Sequence, residues 1–438
     1  MAKKTKKIVI IGAASAEFGR GILADLCGDK STKNLPLELV LVDTNPETLE
    51  VISKVGEQIR EYYGRDDISI ETTTQRKKAL KRADYVLVSV AVRRAELWEQ
   101  DFRVPLAYGF KHVLGENGGP GAIFHTLRSL KLLIPICKDV TRICPKALVL
   151  NFTNPESRVL MGVNYLTKAR AVGLCHGQLE ARRHLADRIL KRPLESLDTI
   201  AGGINHFFWF TKIADAKTGK DLYPEVRRIL AKDPHSAPPL VRKMVEVFGH
   251  YTYPSDDHIG EYLSFGYEFT GVKWPYGIEN RKVDVKETHM PQHEWLVPYA
   301  KGEKQVDARL VGLSGELTVP IIATIEKNER QWVPAVNVLN TGGYVANLPD
   351  DGIVEVPAMV SRLGIKPQKI GKIPEPLAAY CRTQVSIQKL VIEAYRTGDK
   401  NLLLQALLLD PVVNHVGNAK KLLDDMLRLQ EEYLPEQL

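Results

Sequence analysis

Two short stretches raise a question of chemistry. GLCHGQ places Cys175 at the end of an apolar run, and GGINHFFW places His206 31 residues later. A thiolate and an imidazole together can hold a transition metal. Apart, they are a small buried thiol and a satisfied core histidine. Other candidates carry the same ambiguity. The acids Asp256 and Asp257, in PSDDHIGEY, suit general acid–base work, or cap a helix. Glu116 sits among glycines in GENGGPG, where the backbone can approach a ligand closely. His176 follows Cys175, and Asn154 precedes a proline in NFTNP, a pairing that also forms plain turns. Arg281 and Lys282, in IENRKVD, could meet an anion and read first as surface charges.

Such groups need a scaffold to bring them together, and the N-terminal half supplies a recognisable one. KIVIIG, LELVLVD, DYVLVSVAV, ALVLNFTNP and RAVGLCHG read as buried strands separated by helical stretches. That alternation predicts βαβ units and a parallel sheet. Asn45 and Pro46 mark the cap and first turn of one helix, and Pro145 ends another. IVIIGAASAEFG has the form of a dinucleotide-binding turn. Gly12 permits the tight bend, Ser15 lies near a helix start that attracts phosphate, and Asp43 ends the second strand where a carboxylate would bind ribose hydroxyls and oppose a 2′-phosphate. These residues favour NAD over NADP. Asp43 could also simply open the turn DTNP.

Beyond about residue 200 the pattern changes. HFFWFTKIADAKTGKDLYP predicts a hairpin turning at DAKTGK, WVPAVNVLNTGGYVANLPDDGIVEVPA predicts strands around a glycine-rich turn, and the chain from Leu377 is helical. The expected fold is α/β: a Rossmann-type, doubly wound parallel sheet in an NAD-binding domain over 1–200, and a mixed α+β substrate half over 201–438, the two packed as one body with a cleft between them.

Composition narrows the partners. In 438 residues, 60 basic and 53 acidic side chains give +7 without a basic block beyond MAKKTKK, so nucleic acid is not implied. The mild excess fits an anionic substrate or cofactor. Five cysteines without a spacing framework point to a reducing compartment. No apolar run reaches membrane-spanning length, and the start is too short for a signal sequence. The expectation is a cytoplasmic protein with no membrane partner.

Taken together, IIGAAS with LVD, DFRVPLAYG with GENGGPGAIFHTLRSL, NFTNPES, GLCHGQ, GGINHFFW, SDDHIGEY and VNVLNTGGYVANLPDDGIVEVPA resemble glycoside hydrolase family 4 along nearly the whole chain. That family departs from the two-carboxylate mechanism of most glycosidases. The resemblance implies a fold similar to lactate and malate dehydrogenases, NAD, and a divalent metal, usually Mn²⁺. It implies oxidation at C3 of the sugar, deprotonation at C2, elimination of the aglycone, then water addition and re-reduction. It assigns the metal to Cys175 and His206, sugar contacts to His176, an amide near nicotinamide and sugar to Asn154, the C2 base to Asp256 with Asp257 adjacent, and the acid at the leaving oxygen to Glu116. Histidine after the metal cysteine implies an unphosphorylated α-glycoside. The glycine after it resembles the uronide-cleaving branch, making an α-uronide (glucuronide or galacturonide) the leading substrate, with α-glucosidase or α-galactosidase activity as alternatives. Two departures stand out: Asp257 replaces a frequent arginine, and GENGGPG replaces a threonine-containing version. Homodimers or homotetramers are implied. The rival functions are a lactate/malate-type NAD dehydrogenase, which would need an arginine-paired substrate carboxylate and a catalytic His–Asp pair but no thiolate–imidazole metal site, and an NAD-binding sensor without catalysis.

Overall fold

The computed structural model describes residues 5–271 and 294–438. Eleven strands form one sheet: β1 Lys6–Ile11, β2 Leu37–Val42, β3 Ile68–Thr73, β4 Tyr85–Val88, β5 Leu148–Asn151, β6 Arg170–Gly173, β7 Leu197–Ile204, β8 Phe207–Asp215, β9 Arg330–Leu339, β10 Ile353–Ser361 and β11 Gly364–Pro367. The spatial order is β3-β2-β1-β4-β5-β6-β9-β10-β7-β8, with β11 beside β10. The first six strands pair in parallel in the order of a dinucleotide-binding sheet. From β6 onward every pairing is antiparallel.

The physical reason for the parallel half is visible in burial. The last four residues of β1 and of β2, and all of β4, are buried, as strands covered by helices on both faces must be. The helix Pro46–Tyr62 starts as expected, with the Asn45 side chain accepting from the N–H groups of Glu47 and Thr48. Pro145 follows shortly after the helix Gly121–Ile143. The apolar core lies on the two sides of this sheet, and a further cluster forms where the C-terminal helices Glu375–Thr397, Lys400–Leu409 and Val416–Leu429 pack on Phe124 and Leu127.

Two features differ from expectation. The edge strand β3 is absent from the sequence reading, because of its six residues only Ile68 is buried. The hairpin also lies one strand earlier. The turn at DAKTGK exists, with Asp215 accepting from the N–H groups of Lys217 and Thr218, but it leads to a single bridge, Ala214 to Asp221. The extended partner of β8 is β7, joined through Asn205 and His206.

Candidate active site

One row of paired residues crosses the sheet: Val42, Ile11, Val88, Asn151, Gly173, Asn337, Glu355, Gly203 and Phe208. The first five end parallel strands, and the sequence-predicted residues follow them closely: Gly12, Asp43, Asn154 and Cys175. His206 follows Gly203 on the antiparallel side. Ligands of open α/β sheets bind at these carboxyl ends.

At the dinucleotide end, Gly12 has φ of +83°, and a Cβ there would sit 1.9 Å from the Ser89 carbonyl oxygen. No other residue fits that bend. The Asp43 carboxylate accepts from Ala14 N at 3.0 Å and Thr44 N at 2.7 Å, so it lies directly against the turn. Ser15 Oγ accepts from Phe18 N at 3.2 Å, at the start of the helix Phe18–Gly28. Its hydroxyl hydrogen remains a donor. Glu17 at that helix's N-cap makes no capping hydrogen bond and no acid occupies its first turn, which leaves its end N–H groups for an anion.

Cys175 Sγ and His206 Nε2 lie 3.3 Å apart. At that separation the two side chains could hold one ion between them. The donor chemistry also fits. Burial, then the Glu355 carboxyl, pushes the Cys175 thiol well above the usual range, so a thiolate here needs a cation beside it. Burial, then neighbouring His258, pulls His206 well below its usual value and keeps the imidazole neutral, as a ligand must be. His206 holds its place with φ of +63°, a left-handed conformation costly for a side chain with Cβ. Among the described residues no third His, Cys, Asp or Glu completes a metal cluster with this pair. The other four cysteines are buried free thiols.

The acids separate clearly. Asp256 uses both oxygens on the helix Pro239–Phe248, accepting from Leu240 N at 3.0 Å and Val241 N at 3.1 Å. It caps a neighbouring helix. Asp257 Oδ1 instead accepts from His258 N and lies 2.8 Å from His258 Nδ1. The His258 ring packs edge-on against His206, with centroids 4.7 Å apart, and against Tyr253. Burial acts to raise Asp257, but hydrogen bonds from His258 and Ser255 outweigh it and leave the carboxyl at about 2. An ionised carboxylate therefore backs an imidazole packed against His206. The sequence reading missed His258 by weighing only the acids of SDDHIGEY.

Glu116 is 3% exposed and accepts from Arg94 Nη2 at 3.2 Å, Asn117 Nδ2 at 3.2 Å and Asn154 Nδ2 at 3.3 Å. The structure thus brings Glu116 and Asn154 together. His176 is half exposed at the N-terminus of the helix Gly177–His184, with Nδ1 3.1 Å from Glu316 Oε1. Beneath Cys175 and His206 runs a second missed group. Glu355 Oε2 accepts from Asn205 and Asn337, and burial pushes Glu355 up to about 7. The signal was one acid inside the apolar strand GIVEVPA. Arg281 and Lys282 lie outside the described residues.

The family model described as family 4 glycosyl hydrolase matches residues 7–191, and that of the family 4 glycosyl hydrolase C-terminal domain matches 201–413. The chain belongs to glycosyl hydrolase family 4. Among its family 4 relatives are an alpha-glucosidase of Erwinia rhapontici (30% identical, covering 98% of both chains) and an alpha-galactosidase of Bacillus subtilis strain 168 (30%, covering 98% of this chain and 99% of the relative). An alpha-galacturonidase of Lachnoclostridium phytofermentans is 26% identical over 98% of this chain and 97% of its own. Among solved structures, the putative glucosidase lplD of Bacillus subtilis superposes with a TM-score of 0.82 at 26% identity, covering 97% of this chain and all (100%) of that one. A 6-phospho-alpha-glucosidase from gut microorganisms, in complex with NAD and Mn²⁺, gives 0.81 at 23%, covering 99% of each. The parallel strand order and the antiparallel extension seen here are therefore the family 4 fold. No helix among the described residues is long and apolar enough to cross a membrane.

Proposed function

We propose that this family 4 enzyme is an NAD- and divalent-metal-dependent glycosidase acting on an unphosphorylated α-glycoside, with an α-uronide as the leading substrate. One observation carries the reading: Cys175 Sγ faces His206 Nε2 at 3.3 Å, at the carboxyl ends of a dinucleotide-binding sheet. When bound, the nicotinamide accepts a hydride from a sugar carbon, and Mn²⁺ or a similar ion polarises the neighbouring sugar oxygens.

The chain's own residues do the rest. Gly12, Ser15 and the helix Phe18–Gly28 receive the pyrophosphate, and Asp43 receives the ribose. Cys175 and His206 hold the ion. His176 and Asn154 orient the sugar hydroxyls. The Asp257–His258 pair takes the proton from the carbon next to the oxidised one, with Asp257 holding the imidazole orientation. This reading moves the base from Asp256, whose oxygens are occupied, to its neighbour. Glu116 meets the leaving oxygen. A uronide is supported by the galacturonidases among the relatives and by Arg94, a half-exposed guanidinium at Glu116.

The test is hydrolysis of p-nitrophenyl α- and β-glucosides, galactosides, glucuronides and galacturonides with NAD⁺, Mn²⁺ and reductant, each additive omitted in turn. Nitrophenol release from an α-uronide that requires both NAD⁺ and metal is the expected result. Turnover after complete removal of NAD⁺ refutes the mechanism. Steady NADH formation from a hydroxy acid, without nitrophenol release from any glycoside, would return the protein to the dehydrogenases.

A further inference from the structure

The loop that carries Glu116 is gripped by a residue with no role so far. Glu261 Oε2 accepts three successive backbone N–H groups: Glu116 at 2.7 Å, Asn117 at 2.7 Å and Gly118 at 3.0 Å. Consecutive N–H groups converging on one oxygen form a nest, and the acceptor fixes the conformation of the loop that supplies them. The contact is tight: a Cβ at Gly118 would fall 2.5 Å from the Glu261 carbonyl oxygen. Glu261 is 1% exposed, so water does not compete for these bonds. It directly follows the helix Asp256–Gly260. One short segment therefore presents Asp257 and His258 to the metal side of the site and holds the Glu116 loop on the other.

We propose that Glu261 is a positioning residue for Glu116: through the nest it fixes the Glu116 carboxyl relative to the Asp257–His258 pair, by the reach of its acceptor oxygen. The proposal rests on the reading of Glu116 as the group that meets the leaving oxygen. Glu261 itself touches no substrate. One oxygen accepts all three N–H groups, so a glutamine amide oxygen of equal reach can fill the nest, and burial, then the Glu116 carboxyl, already pushes Glu261 up.

The test uses the enzyme with NAD⁺ and Mn²⁺ and two aglycones, methyl and p-nitrophenyl, on the α-glycoside that the panel selects. Nitrophenolate leaves without a proton and methoxide does not. E116Q should lose roughly 10²–10⁴ in kcat on the methyl glycoside and far less on the nitrophenyl one. E261D, which withdraws the carboxyl by one methylene, should lose roughly 30- to 100-fold on the methyl glycoside and under about threefold on the nitrophenyl one. E261Q should keep both within about threefold of the parent. Equal losses of E261D on both aglycones overturn the proposal. So does a loss beyond about tenfold in E261Q, which settles the matter even where E261D folds poorly. An E116Q variant indifferent to the aglycone instead refutes the reading of Glu116, and it does so independently of the Glu261 variants.

Discussion

Asp256 and Asp257 are adjacent acids with different partners, and the pair of variants D256N and D257N tests the roles proposed for them. Asp256 bonds the first turn of the helix Pro239–Phe248 through Leu240 N and Val241 N. Asparagine keeps one acceptor and loses the charge. One of the two accepted hydrogen bonds is lost, worth about 0.5–1.5 kcal/mol net, so D256N should be less stable by about 1 kcal/mol. Its kcat should stay within about threefold of the parent, since no reacting group is touched. Asp257 sits 2.8 Å from His258 Nδ1. An amide there neither fixes the tautomer nor supports an imidazolium as the proton arrives. General-base catalysis contributes roughly 10²–10⁴, and at about 1.36 kcal/mol per tenfold D257N should raise the barrier by roughly 2.7–5.4 kcal/mol. The assay is the initial rate at saturating NAD⁺ and Mn²⁺, with thermal unfolding in parallel. Loss of the substrate C2 proton to D₂O, followed by NMR, isolates the base. D256N that melts normally but loses more than about 100-fold in proton exchange, with D257N near parental, would refute the assignment.

Other consequences are more direct. C175S should weaken Mn²⁺ binding by more than the 10–100-fold typical of outer-shell changes, read by Mn²⁺ electron paramagnetic resonance without substrate. D43A should weaken NAD⁺ binding by roughly 10- to 150-fold, the worth of hydrogen bonds to a charged group at about 1.5–3 kcal/mol, and should narrow the preference over NADP⁺. G12A places a methyl 1.9 Å from the Ser89 carbonyl oxygen and should abolish NAD⁺ binding while lowering the melting temperature. Asp257 also has an acid signature. Its carboxyl is held below the usual 3.8, so its contribution to stability is complete above about pH 4 and is lost as pH falls through about 2. D257N should therefore lose stability less steeply than the parent across that interval, measured by denaturant unfolding.

Much of this was legible in the sequence because local signals and long-range packing agree there. Gly12, the Asn45–Pro46 cap and the buried runs of β1, β2 and β4 each specify one structure on their own. Cys175 and His206 became a pair only through the whole set of motifs, since no spacing rule joins residues on strands that do not touch. The choice between Asp256 and Asp257 was not legible. Successive residues on a helix point about 100° apart, and which one faces the metal side depends on how that turn is docked. β3 escaped because an edge strand with one buried residue has no apolar period to detect. β7 escaped because its partner signal was assigned to the turn after β8 rather than the one before it. Glu355 and Glu261 are buried acids whose partners are backbone or amide groups far away in the chain.

The sheet order carries a consequence for how the enzyme comes into being. Cys175 follows β6 and His206 follows β7, yet between those strands lie β9 and β10, made from residues 330–361. During synthesis Cys175 and His206, the two proposed metal donors, leave the ribosome long before the strands that set their separation exist. The dinucleotide turn, by contrast, needs only strands that are already out, so its half of the sheet can form early while the metal half waits. A nascent chain halted before residue 330 would carry the donors without the site. On the proposed roles, the ability to hold the ion is thus a late event in the life of the polypeptide, and it reports that residues 330–361 have arrived and paired between the two strands.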